Sequence, residues 1–162
     1  MACAKKEKPL TADEIRNYTL TASDVERFIK LYPAVKEIFA QAERKIGLGE
    51  VQDPYEAFAE LKLPKDASKA VKEAGYSSDR DFLKAAAAVY IAYHHLLKEE
   101  GIEEMKAELK KAMKGMSKEE RAEAEREIAE TEERFKAEST APPSHLKVVK
   151  PYKAELDKLF GF

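Results

Sequence analysis

Between Phe82 and Leu97 the chain reads FLKAAAAVYIAYHHLL, and this stretch limits the possible folds more than any other. Ala85 to Ala88 supply helix propensity, and Ser78 with Asp81 supplies a cap. Val89, Tyr90, Ile91, Tyr93, Leu96 and Leu97 then cover several faces of the helix. A helix that is apolar on most sides has to be surrounded, so this one is expected at the centre with other helices around it. No apolar run in the chain reaches the roughly 18 residues needed to cross a bilayer.

The flanking segments carry helical rather than alternating periods. A short echo, Leu10-Thr11-Ala12-Asp13-Glu14 against Leu20-Thr21-Ala22-Ser23-Asp24, predicts two helix starts, each a Thr answered by an acid three positions later. Val25, Phe28, Ile29 and Leu31 follow a 3.6-residue period up to Pro33, where the missing N–H predicts a break or kink. Val35, Ile38, Phe39, Ala42 and Ile46 then share one face of a second helix that stops at Gly47. Asp53-Pro54 opens a short helix through Phe58, and another runs from Ala67 to Ala74. Gly101 is expected to interrupt the central helix, after which Ile102, Met105, Leu109, Met113 and Met116 keep a one-sided stripe. Ser117 and Glu120 form a capping box for a helix from Lys118 to about Glu138, polar nearly all round and expected to project as the second arm of a hairpin. Beyond the linker Ser139 to Pro143, Leu146, Val149, Tyr152, Leu156, Leu159 and Phe160 make a final amphipathic helix, kinked near Pro151, that can dock on the chain's own core. The expected fold is all-α: a single-domain irregular helical bundle over residues 10–162, with a long helical hairpin, a C-terminal docking helix and a flexible tether at 1–9.

Charge and composition narrow the function classes. The 162 residues include 29 basic and 31 acidic side chains, interspersed, so no electrostatic footprint for nucleic acid is present. One cysteine excludes an internal disulfide and a zinc site built on several thiolates. Asn17, Gln41 and Gln52 are the only side-chain amides beside abundant Lys and Glu, a bias that resembles proteins of hot-growing organisms.

The candidate site residues are few. Adjacent His94 and His95 point about 100° apart on a helix, so they cannot ligate one ion together. Tyr90 with His94, and His95 with Glu99, are i,i+4 pairs that can each offer two groups to a metal or small ligand, with Tyr93 beside them. The H-E-x-x-H and Glu-x-x-His metal patterns are absent, as are phosphate loops and nucleophile elbows, and no cofactor is expected. Met105, Leu109, Met113 and Met116 offer a soft face for a protein or peptide partner. Cys3, followed by Ala4-Lys5-Lys6-Glu7-Lys8-Pro9, has the appearance of a bacterial lipid-attachment cysteine with its polar tether if Met1-Ala2 stand in place of an excised signal peptide.

Several blocks carry a resemblance. Leu20 to Ile29 with Tyr32-Pro33, then Ala74-Gly75-Tyr76-Ser77-Ser78, and finally Pro142-Pro143 with Val148 to Asp157 resemble a group of small exported all-helical proteins of Gram-negative bacteria that have no assigned activity. Tyr76 departs from that group, which favours Phe there. The resemblance implies an envelope protein and a lipidated Cys3, and it transfers no catalytic residue. The resulting expectation is a non-enzymatic periplasmic protein, anchored to the membrane through Cys3 and monomeric, that binds a protein or peptide. Its alternative is a small-ligand- or metal-binding bundle using Tyr90, Tyr93, His94 and His95.

Overall fold

The computed structural model describes residues 8–138 and 141–162, and in them every regular element is helical. Two short capped segments begin the chain. In α1 (Ala12–Arg16) the Thr11 hydroxyl accepts from the Glu14 amide while Glu14 accepts from the Thr11 amide. Thr21 and Asp24 repeat the exchange at the start of α2 (Ala22–Gly47). Asp53 caps α3 (Pro54–Ala59), accepting from the Tyr55 amide at 3.0 Å, and α4 (Lys65–Glu73) follows.

The central helix, α5 (Asp79–Ala112), is 34 residues long, capped by Ser78. A 3-10 turn at Met113–Gly115 leads into α6 (Lys118–Glu138), whose start is the Ser117–Glu120 box. The chain ends in α7 (Pro143–Val149), a 3-10 turn at Lys150–Tyr152 that contains Pro151, and α8 (Lys153–Phe160).

Two expected interruptions do not occur. α2 runs through Pro33 as one 26-residue helix. Pro33 is exposed while Leu31, Tyr32 and Val35 are buried, so the lost hydrogen bond falls on the solvent face, where water can replace it. Gly101 likewise sits inside α5 on the exposed side, with open space where a side chain would project. Its helix cost of about 1 kcal/mol is carried by the long helix on either side.

α5 is the axis of the molecule. Its first half packs against α1, α2, α3, α4 and α7, and Phe82, Ala85 to Val89, Ala92 and Tyr93 are fully buried. An aromatic cluster fills the space between α2, α3 and α5: Phe39 lies 5.2 Å from Phe58 and 5.7 Å from Tyr90, ring centre to ring centre. Phe160 of α8 closes it, 4.7 Å from Tyr32 and stacked on Tyr93 at 4.9 Å, so the last helix docks on the chain's own core. The Tyr93 hydroxyl donates to Asp157 at 2.8 Å, and Lys153 joins Asp157 to Glu100 across the same seam.

A buried carboxylate ties the other end together. Asp24, besides capping α2, accepts from the hydroxyls of Thr21, Tyr18 and Tyr76 at 2.9, 3.1 and 3.0 Å. One side chain therefore joins the loop after α1, the start of α2 and the turn after α4. His145 of α7 is buried and donates through Nε2 to the Tyr18 carbonyl at 2.6 Å, while among the described residues its Nδ1 has no partner.

The far half of α5 and all of α6 form a hairpin standing off this core. Ala124 is the only buried residue of α6. Met105, Leu109, Met113 and Met116 share a face with Ile102, are half-buried, and lie outside the main apolar cluster. Arg121 donates to the Met113 carbonyl, and Lys106 pairs with Glu132 across the seam. At the N-terminal edge the Lys8 carbonyl accepts from Arg80. Cys3 and most of the expected tether lie outside the described residues.

Candidate functional site

Where the hairpin leaves the core, the ends of α2 and α6, the short α3 and the middle of α5 frame a cleft. α2 contributes its C-terminal end, with Glu43, Ile46 and Gly47 on the wall. α3 brings Pro54 and Phe58, because Asp53 caps a helix so short that its first residue and its buried face lie side by side. The middle of α5 forms the floor with Tyr90 and Ile91, both nearly buried, and His94 and His95 stand at its side. The last turn of α6, with Phe135 and Glu138, and Ala141 complete the rim. The volume is about 460 Å³, within the usual range for small-molecule sites, and the cleft is half open to solvent.

His94 is set by its neighbours. Its ring lies 4.3 Å from Tyr90, 5.5 Å from Tyr93 and 6.1 Å from Phe160, and its Nε2 is sealed from solvent with no hydrogen-bond partner among the described residues. Burial, helped by the positive charge of Lys98, lowers its pKa to about 4, so the ring is neutral at pH 7. His95 stands edge-on to Phe135 at 5.0 Å, and burial again lowers its pKa, opposed by Glu99. Glu43 carries the opposite consequence of burial: with no compensating charge its carboxyl pKa is raised.

Of the residues singled out from the sequence, Tyr90, His94 and His95 come together on this cleft. Tyr93 does not join them, because its hydroxyl is committed to Asp157 and its ring to Phe160 on the α8 side of α5. Glu99 belongs instead to a second groove of about 380 Å³ between α5 and α6, shared with His95, Glu103, Lys106 and Glu132. Among the described residues no three His, Cys, Asp or Glu side chains converge closely enough to hold a metal ion.

Sequence reasoning did not single out Phe58, Glu43, Lys98, Phe135 or Glu138. All but Lys98 come from other helices, and no local pattern connects residues 43, 58, 135 and 138. The one sequence cue is position: Glu43 and Glu138 each lie near the C-terminal end of a long helix. The class of protein that fold and site define is an all-α helical domain with a half-open apolar cleft at the base of a projecting hairpin. Comparison with protein-family models, with curated proteins and with solved structures finds no match to this chain.

Proposed function

We propose that this chain is a non-enzymatic binding protein of a bacterial cell envelope, carried to the membrane by a lipid on Cys3, and that its binding site is the cleft at the base of the hairpin. The observation that supports binding there is the cleft's construction: an aromatic and aliphatic wall from Phe58, Tyr90, Ile91 and Phe135, with its charged groups confined to the rim. The envelope location rests on the sequence around Cys3 and on the resemblance to exported helical proteins. A second reading, in which a protein partner docks on the hairpin, draws support from the half-buried Met105, Leu109, Met113 and Met116 seam outside the main core.

Gly47 offers a direct test of the cleft. It lines the wall, and a Cβ added there meets no atom within 4 Å, so the backbone tolerates a side chain and Gly47→Phe is expected to obstruct the cleft while the fold is kept. The neutral probe N-phenyl-1-naphthylamine should bind the native chain saturably at one site, with a rise in fluorescence that Gly47→Phe abolishes while thermal stability is kept. Equal probe binding by both proteins would move the site elsewhere. For the anchor, expression of the full-length gene in a Gram-negative host should place the protein in the detergent-soluble membrane fraction, and Cys3→Ser should release it. Recovery of both forms in the cytosol would remove the lipoprotein reading.

A further inference from the structure

The electrostatics of the cleft are lopsided. Glu138 is the final residue of α6 and Glu43 lies just before the last turn of α2, so two carboxylates line the cleft near the C-terminal ends of helices 21 and 26 residues long, while the basic residues of those last turns, Arg44, Lys45 and Lys136, are outside its lining. A helix C-terminus carries partial negative charge from its aligned peptide dipoles, and it adds to the carboxylates. Against them stand Lys98 and the start of the six-residue α3. Both histidines are held toward their neutral forms. Among the described residues Glu43 makes no hydrogen bond or ion pair, and Lys98 is paired with neither carboxylate. All three charged side chains are exposed, and two carboxylates against one lysine give the cleft lining a net negative charge that favours a cation.

Resting on the cleft-binding reading above, we propose that the cleft takes a small organic amine in its protonated form, the ammonium at the Glu43 and Glu138 rim and a flat apolar body against Ile91 and Phe135, with the buried Phe58 behind them. The aromatic walls suit such a ligand twice over. Ring faces bury its hydrocarbon part, and their negative quadrupoles attract its charge. A carboxylate on the same body would meet two like charges, with only Lys98 and the start of the short α3 in its favour.

Three indoles of matched shape separate the possibilities: tryptamine carries an ammonium, indole-3-ethanol is neutral and indole-3-acetate carries a carboxylate. The protein has no tryptophan, so excitation at the red edge of the indole band reads the probe alone, and fluorescence anisotropy reports binding to the full chain. Tryptamine should bind tightest and indole-3-acetate weakest, with the preference shrinking as salt is added. Glu43→Gln, a change at an exposed position, should weaken tryptamine about twofold to fivefold and leave indole-3-ethanol unchanged. If indole-3-ethanol or indole-3-acetate binds as tightly as tryptamine, or Glu43→Gln affects no probe, the cation preference is wrong while the cleft stands. If none of the three binds saturably, the cleft reading falls with it.

Discussion

Replacing His94 with Phe should change how stability depends on pH more than it changes stability itself. In the native protein the imidazole is packed among Tyr90, Tyr93 and Phe160, its Nε2 has no partner among the described residues, and its pKa is lowered from 6.5 to about 4, first by burial and then by Lys98. In the unfolded chain the same ring takes a proton near its ordinary value. Because the folded value is the lower one, the unfolded state binds more protons between the two, and stability present above about pH 6.5 drains away as pH falls toward 4. Integrated from about pH 7.5 to about pH 5, the loss is about 2 kcal/mol, and solvent screening at the partly open cleft trims it to about 1–2 kcal/mol.

Phe keeps the ring packing and has nothing to protonate. Urea unfolding followed by circular dichroism, on native protein and His94→Phe at both pH values, should show the variant losing about 1–2 kcal/mol less on acidification, or about 3–6 °C less in Tm. Every other titrating group is present in both proteins and cancels in the difference. That includes His95, also lowered by burial, and Glu14, Asp81 and Asp157, whose lowered pKa values cost stability only as pH falls through the carboxylate range. Parallel losses in the two proteins would mean that His94 is not desolvated in the folded state, and the packing described around it would be wrong.

Asp24→Ala removes the shared acceptor of Tyr18, Thr21 and Tyr76 and leaves the buried Tyr76 hydroxyl unpaired, so chemical denaturation should report a loss of about 3–5 kcal/mol. A loss under about 1 kcal/mol would show that water replaces the carboxylate and that the network does not hold the loops together. A chain ending at Thr140 loses Val149 and Leu156, each fully buried and together worth about 3–6 kcal/mol, along with the Phe160 ring that closes the aromatic cluster. Its Tm should fall sharply and aggregation should follow. An unchanged Tm would mean that α7 and α8 ride on a core that is complete without them.

What the sequence by itself determined is local. The Thr-x-x-acid pairs at Thr11 and Thr21, the Ser117–Glu120 box and the all-round apolar run from Phe82 to Leu97 specify helix starts and a central helix, because caps and periodicity act over one or two turns. Pro33 and Gly101 misled for the same reason. Their costs are local, but whether a helix survives them depends on which face they occupy, and that is settled by what packs on the other side. Tyr93 illustrates the limit in the candidate site: its spacing next to His94 is compatible with a shared ligand, yet Asp157, 64 residues later, claims its hydroxyl. Only the tertiary structure could bring the ends of α2 and α6, 95 residues apart at Glu43 and Glu138, to one rim and leave a cleft between them. Cavities arise where helices diverge, and the divergence here is set by α6 leaving the core while α2 ends beside it, a matter of packing between distant segments that no local period encodes.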